Sequence, residues 1–255
     1  MDVFARRVAS KLLLTKLKLL NVMQARSANS LAETLASKDK NQVNLLYGEH
    51  LIIVDENDKP IGSASKLDCH LNSEGPPLHR AFSVFFFNEK NELLMQRRSN
   101  AKVTFPGYYT NTCCSHPQNN KFEMEEADAI GVKRAAQRKM TQELGISAEQ
   151  FPLKNINYVT RILYKAPCSD TFGEHEIDYV LFAKGNVDVI INENEVSEVT
   201  YVPYGGMDAF VKNCESRGIP ITPWFKLIME SQLNTWWRDI DNIHEHFNHK
   251  AITKF

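Results

Sequence analysis

The chain has 255 residues, 43% of them hydrophobic, which is enough for one sizeable core and does not require a second domain. Its formal net charge of −1 gives the whole molecule no attraction to nucleic acid, so any anion-binding chemistry must be local. Five cysteines at irregular spacing, two of them adjacent, argue against a disulfide framework and for free thiols in a reducing compartment.

The chain opens with a basic arm. Residues 1–32 carry Arg6, Arg7, Lys11, Lys16, Lys18 and Arg26 against the single acid Asp2, with Leu12, Leu13, Leu17 and Leu20 at helical spacing. This acid-poor, amphipathic composition fits a mitochondrial transit peptide, and fits a disordered or membrane-surface tail as well. The arm is therefore set apart as residues 1–40, with one domain over 41–255. A mitochondrial or cytoplasmic location is expected. The terminal Ile252-Thr253-Lys254-Phe255 is not the Ser-Lys-Leu peroxisomal tag. The most apolar run, 12–22, is broken by Lys16 and Lys18, so no membrane span is expected.

Residues 51–55 predict a short strand, followed by the turn Glu56-Asn57-Asp58-Lys59-Pro60. The polar stretch 66–80, with Gly75-Pro76-Pro77 inside it, predicts a loop. The apolar run 81–87, a turn at 88–91 and a second run at 92–97 predict a hairpin. Residues 104–116 read as irregular. Helical spacing of Ala127, Ile130, Ala135 and Met140 predicts a helix over 123–144, stopped by Gly145. Strands are expected over 158–164, 176–183 and 196–202, and helices over 208–216 and 223–247. Mixed strands flanked by helices make this an α/β or α+β single domain.

Several residues in this frame could carry chemistry. His70, His79 and His116 stand in polar loops. Glu174 and Glu176, two apart at a strand, share one face, with His175 on the other. Three imidazoles and two carboxylates form a donor set for a divalent metal, although single loop histidines are more often surface residues. Cys114 precedes His116 by two residues. A thiol beside a metal or cation can act as acid, base or nucleophile; otherwise it is a small buried hydrophobe. Trp224, Trp236 and Trp237 are either core aromatics or a π face for a cation.

The helix carries Arg138-Lys139-Met140-Thr141-Gln142-Glu143-Leu144-Gly145, which resembles the end of the Nudix box, Arg-Glu-apolar-any-Glu-Glu-any-Gly. Only Glu143 remains of its three glutamates. One carboxylate can hold one Mg²⁺ against a diphosphate, whereas the hydrolases gather several metals there. A Nudix-like fold without hydrolysis follows. Lys66, Arg98, Lys102 and Lys139 become candidate diphosphate contacts, each otherwise a solvated surface charge.

Taken together, Cys69-His70, Leu78-His79-Arg80-Ala81-Phe82-Ser83, 99–107, Thr110-Asn111-Thr112-Cys113-Cys114-Ser115-His116-Pro117, Glu143-Leu144-Gly145, Gly173-Glu174-His175-Glu176-Ile177-Asp178-Tyr179 and Ile221-Thr222-Pro223-Trp224-Phe225 closely resemble the type I isopentenyl-diphosphate isomerases of the Nudix superfamily. The resemblance spans roughly 41–250. It implies a monomeric enzyme of isoprenoid and sterol biosynthesis acting on a small prenyl diphosphate. It further implies that Cys114 is the catalytic thiol and Glu176 its partner, with Tyr164 and Trp224 beside them. His70, His79, His116, Glu174 and Glu176 would bind Zn²⁺ or Mn²⁺, and Glu143 would help hold Mg²⁺ with the substrate. Lys66, Arg98 and Lys102 would contact the diphosphate. The Cys-any-His spacing selects Cys114 over Cys113. The competing readings are a Nudix hydrolase, disfavoured by the missing glutamates, and a silent binding module, disfavoured by the complete residue set.

Overall fold

The computed structural model describes residues 31–73 and 75–255. The basic residues and leucine pattern of the arm lie outside the described residues. Residues 31–36 are helical, and Lys40–Phe255 form one compact unit. No described helix is long and apolar enough to cross a membrane.

The unit contains strands β1 (His50–Val54), β2 (Pro60–Ser65), β3 (His79–Phe87), β4 (Leu93–Arg98), β5 (Tyr109–Thr110), β6 (Cys113–Ser115), β7 (Asn157–Pro167), β8 (Gly173–Lys184), β9 (Val196–Val202) and β10 (Ile252–Lys254). Its helices are α1 (Lys40–Gly48), α2 (Lys66–His70), α3 (Ile130–Leu144), α4 (Met207–Ser216), α5 (Pro223–Ile228) and α6 (Asn234–Arg238). The strands form one mixed sheet whose main path runs β10-β7-β8-β3-β1-β2.

All nine residues of β3 are buried, which is why it reads as a continuous apolar run rather than an alternating one. Period-two geometry still divides it between two cores. Phe85 and Phe87 pack with Phe182, Phe225, Trp236 and Trp237 on one side. Phe82, Val84 and Phe86 pack with Ala135, Ala136, Met140 and Leu144 of α3 on the other. β3 runs parallel to β8 from His79↔Glu176 to Phe87↔Lys184. β7 and β8 form an antiparallel pair that sets Tyr164 opposite Glu176.

Several expectations need correction. The stretch 66–70 is helical rather than loop, because Ser65 Oγ accepts from the Asp68 amide and donates to the Asp68 carboxylate, a reciprocal cap. The hairpin after 81–87 is closed only at Phe87↔Leu93; β4 then leaves β3 to pair with β9, while β6 and β8 take the flanks of β3. The helix expected over 123–144 begins at Ile130. The segment before it is tied down by Glu123, which accepts from the Gln118 amide and from Arg138. Asp128 and Ala129 take left-handed backbone (φ 52° and 51°) to enter the helix. Gly131 is required there, since a Cβ would lie 2.3 Å from the Glu123 carbonyl oxygen. At the other end Gly145 (φ 67°) closes α3 as expected.

The helix expected over 223–247 is broken into α5, a π-helical turn (Met229–Leu233), α6 and a 3₁₀ segment (Ile240–His246). Trp236 and Trp237 are adjacent yet both buried, one against Phe182, the other against Phe87 with its Nε1 donating to the Asn91 carbonyl at 2.6 Å. A straight helix cannot turn two neighbouring indoles into one core while also seating Trp224; the wider turn re-phases it. β10, which pairs in parallel with β7, is a further strand that its polar, three-residue sequence did not announce.

Candidate active site

The histidines converge although they come from three elements. α2 supplies His70, β3 opens on His79, and His116 follows β6 directly; the three rings lie 5.0–5.1 Å apart between centroids. β8 adds Glu174 and Glu176 from one face, while His175 points away and bonds the Pro76 carbonyl at 2.9 Å. One ligand atom from each of the five residues lies within 4.8 Å of all the others, and all five side chains are buried.

The surroundings of the cluster fit a cation. His70 Nδ1 lies 2.6 Å from the Lys66 carbonyl and His79 Nδ1 lies 2.9 Å from the Pro77 carbonyl. A carbonyl can only accept, so both Nδ1 atoms carry hydrogen, which leaves both Nε2 atoms available to ligate a cation alongside the carboxylates. His79 Nε2 and Glu174 Oε2 are buried without a hydrogen-bond partner; Glu174 Oε2 is 2.9 Å from His70 Nε2, but not aligned for a hydrogen bond. Such orphaned lone pairs are costly unless a cation collects them. Burial works against a proton on His70, and Glu174 overcomes it, raising its pKa. Burial and the two neighbouring imidazoles hold His116 well below the ordinary value. Three nitrogens and two oxygens suit a borderline divalent ion.

Beside the cluster the pocket becomes aromatic. Tyr164 donates a short hydrogen bond to Glu176 Oε2, and its ring lies 6.0 Å from that of Trp224. The Trp224 Nε1 in turn lies 3.1 Å from Cys114 Sγ. Glu176, Tyr164, Trp224 and Cys114 thus form an arc around one pocket. Burial pushes the Cys114 thiol up to about 12, so it rests protonated. Burial also acts to raise Glu176, but the neighbouring His79 imidazole, 3.4 Å away, and the Tyr164 hydroxyl outweigh it and lower its pKa. The neighbouring Cys113 points through the sheet to the opposite core, fully buried, with its Sγ 3.7 Å from Glu143.

The basic groups line another part of the pocket. Lys66, Arg98 and Lys102 all reach it, each restrained by the protein. Lys66 pairs with Glu49 at 2.6 Å and Lys102 with Glu195 at 2.5 Å. Burial would raise Glu49, yet Lys66 and Lys139 hold it at about 2. The Arg98 guanidinium donates to the Thr104 and Phe105 carbonyls and lies 5.9 Å over the Trp224 ring. Lys139 and Glu143 are not among the lining residues. They are buried behind the pocket, 3.2 Å apart as an i,i+4 pair on α3, and Glu143 Oε1 has no hydrogen-bond partner.

Sequence reasoning missed Glu49 and Glu195, which partner two of the lysines; isolated acids distant in sequence give no local signal. Ser83, Ser115 and Gln42 also line the pocket. The serines lay inside motifs already noted, but a lone hydroxyl predicts nothing by itself.

Comparison with known proteins places the chain among its relatives. The NUDIX domain family matches residues 77–225. The chain is 48% identical over 216 residues to Isopentenyl-diphosphate Delta-isomerase 1 of Mesocricetus auratus, covering 84% of this chain and 95% of the relative. It is 49% identical over 216 residues to the Bos taurus protein of the same name, with the same coverage. It is 46% identical over 211 residues to Isopentenyl-diphosphate Delta-isomerase II, chloroplastic, of Arabidopsis thaliana, covering 81% and 74%. On this identity across most of its length, the chain belongs to the isopentenyl-diphosphate Delta-isomerase family, built on the Nudix fold.

Proposed function

We propose that this pocket interconverts isopentenyl diphosphate and dimethylallyl diphosphate by proton addition and proton removal, with Glu176 and Cys114 as the two proton-handling groups. The observation that carries the proposal is the arc itself: a protonated thiol and an ionised carboxylate line one pocket with an indole and a phenol between them. An unactivated alkene must gain a proton at C4 to give a tertiary cation at C3, and then lose one from C2. Two groups flanking a flat five-carbon unit can do this, one as acid and the other as base. The Tyr164 hydroxyl holds Glu176 Oε2 in place. Trp224 offers π density to the cation and, with Phe105 packed edge-on at 5.2 Å, keeps out water that would trap it.

Lys66, Arg98 and Lys102 hold the diphosphate, remote from the reacting carbons, and so position the alkene. His70, His79, His116, Glu174 and Glu176 would hold Zn²⁺ or Mn²⁺. Glu143, whose Oε1 makes no hydrogen bond and is ion-paired with Lys139, would serve Mg²⁺ together with the Cys114 carbonyl and the diphosphate. When bound, these ions supply positive charge that orients Glu176 and neutralises the diphosphate. The fitting partners are a small prenyl diphosphate and these two ions; a monomer suffices, since every proposed residue comes from one chain.

The test is incubation of purified protein with isopentenyl diphosphate and Mg²⁺, following both isomer and free phosphate. Dimethylallyl diphosphate without phosphate release is expected; phosphate alone, or no conversion, refutes the proposal. Cys114→Ala and Glu176→Gln should each abolish most activity, and Cys113→Ala should not.

A further inference from the structure

Behind the thiol lies a residue that the reaction scheme does not use. Asn111 is fully buried in the turn between β5 and β6 and does not line the pocket. Its Nδ2 donates to the Val84 carbonyl at 3.0 Å and to the Cys113 carbonyl at 3.2 Å. Two acceptors on that side fix which way the amide points: reversing it would set oxygen against two carbonyl oxygens. The Oδ1 is therefore aimed at the site, where three donors meet it. These are Cys114 Sγ at 2.9 Å, Thr110 Oγ1 at 2.9 Å and Trp224 Nε1 at 3.2 Å.

The set extends one step further. Thr222 precedes α5 at the N-cap position, yet its hydroxyl makes no cap and donates instead to Thr110 Oγ1 at 2.8 Å. Both threonines are fully buried. A buried polar network in which every member is satisfied rigidifies its surroundings. This one joins the strand that carries the thiol to the helix that carries the indole.

We infer that Asn111 is a positioning residue: its amide oxygen, oriented by the Val84 and Cys113 carbonyls, fixes the Cys114 sulfur and the Trp224 indole relative to each other, and Thr222, through Thr110, locks the arrangement. The inference rests on the functional reading above, because it concerns the placement of the proposed thiol. Asn111 does not line the pocket and reaches it only through Cys114 and Trp224, so it acts on the chemical step and not on substrate capture.

The experiment compares wild type, Asn111→Ala, Thr222→Val and Thr222→Ser in the isomerase assay, alongside iodoacetamide labelling of the native proteins resolved to the single residue by fragmentation mass spectrometry. Misplacing a reacting group by about 1 Å costs on the order of 100-fold, so kcat of Asn111→Ala should fall about that much while KM stays within about threefold. Labelling of Cys114 should accelerate, while the buried Cys69, Cys113 and Cys214 keep their wild-type rates. Thr222→Val, which keeps volume but loses the hydroxyl, should lower kcat by roughly tenfold at unchanged KM, and Thr222→Ser should recover most of it. Unchanged kcat in Asn111→Ala, or a parallel rise in labelling at all four cysteines, overturns the inference. If Asn111→Ala does not fold, the Thr222 pair decides: equal rates for Val and Ser overturn it. Wild type that fails to isomerise refutes the functional reading alone, since labelling still decides the positioning.

Discussion

Glu195→Gln is the substitution whose outcome the structure fixes most tightly. The Glu195 carboxylate pairs with Lys102 at 2.5 Å and accepts from Gln42 at 3.1 Å, with Lys102 and Glu195 side chains only 10% and 6% exposed. Removing one partner of a buried ion pair costs about 3–5 kcal/mol, because the other charge is left uncompensated. Glutamine keeps an acceptor oxygen, so the lower end, about 3 kcal/mol, applies. For a domain of this size that is roughly 6–12 °C of melting temperature. The same change frees Lys102 for an anion. Inorganic diphosphate with Mg²⁺ should therefore raise the melting temperature more in the variant than in wild type; a tenfold gain in affinity adds about 1.4 kcal/mol at saturation. The assay is thermal unfolding with and without diphosphate. Burial alone would raise the Glu195 pKa, but Lys102 and Lys139 pull it further down, below the ordinary carboxylate value. A depressed folded pKa stabilises above the unfolded value, about 4.3, and that contribution disappears as pH falls through the folded value. The gap between wild type and variant should thus be full at neutral pH and narrow below about pH 4. A variant melting within about 2 °C of wild type at pH 7, or gaining no more from diphosphate than wild type does, would show that this pair does not restrain Lys102.

Two further outcomes follow from packing and ligation. Gly131→Ala places a methyl 2.3 Å from the Glu123 carbonyl oxygen, so it should cost about 3 kcal/mol in urea unfolding, whereas a loss under about 0.5 kcal/mol would mean that the 123–129 turn yields freely. Stripping the protein with a strong chelator should lower both activity and melting temperature, and Zn²⁺ or Mn²⁺ should restore both. His79→Ala should abolish the restored thermal shift, and a shift that survives in that variant would move the ion elsewhere.

Much of the site was legible because strand periodicity is strict. The two-residue step from Glu174 to Glu176 places both on one face, whereas the opposite faces of Cys113 and Cys114 emerged only with β6, in a stretch the sequence presented as irregular. The thiol's place beside His116 came from spacing, and its neighbours Tyr164 and Trp224 from resemblance. What could not be read were pairings across long separations. Glu49 meets Lys66, and Glu195 meets Lys102 across 93 residues, with no periodic pattern to mark either. Lys139 shows the reverse limit. Its four-residue spacing from Glu143 on α3 gives an ion pair at 3.2 Å, but spacing says nothing about depth, and the lysine expected at the diphosphate is buried outside the lining. Helix ends misled where side chains compete with the helix: Ser65 caps a turn inside a stretch read as loop, and Glu123 anchors a turn inside a stretch read as helix.

The parallel seam between β3 and β8 also bears on how the protein reaches its folded state. Its two strands are separated by roughly a hundred residues, so nine consecutive rungs wait on a slow closure. Until β8 arrives, Ala81-Phe82-Ser83-Val84-Phe85-Phe86-Phe87 is a seven-residue segment with no charge and no proline, the composition most prone to sticky self-association. Arg80 before it and Glu89-Lys90 after it are the nearest charges that can discourage such pairing. Substitutions that delay β8, even at positions far from the pocket, therefore act first on soluble yield and only afterwards on turnover.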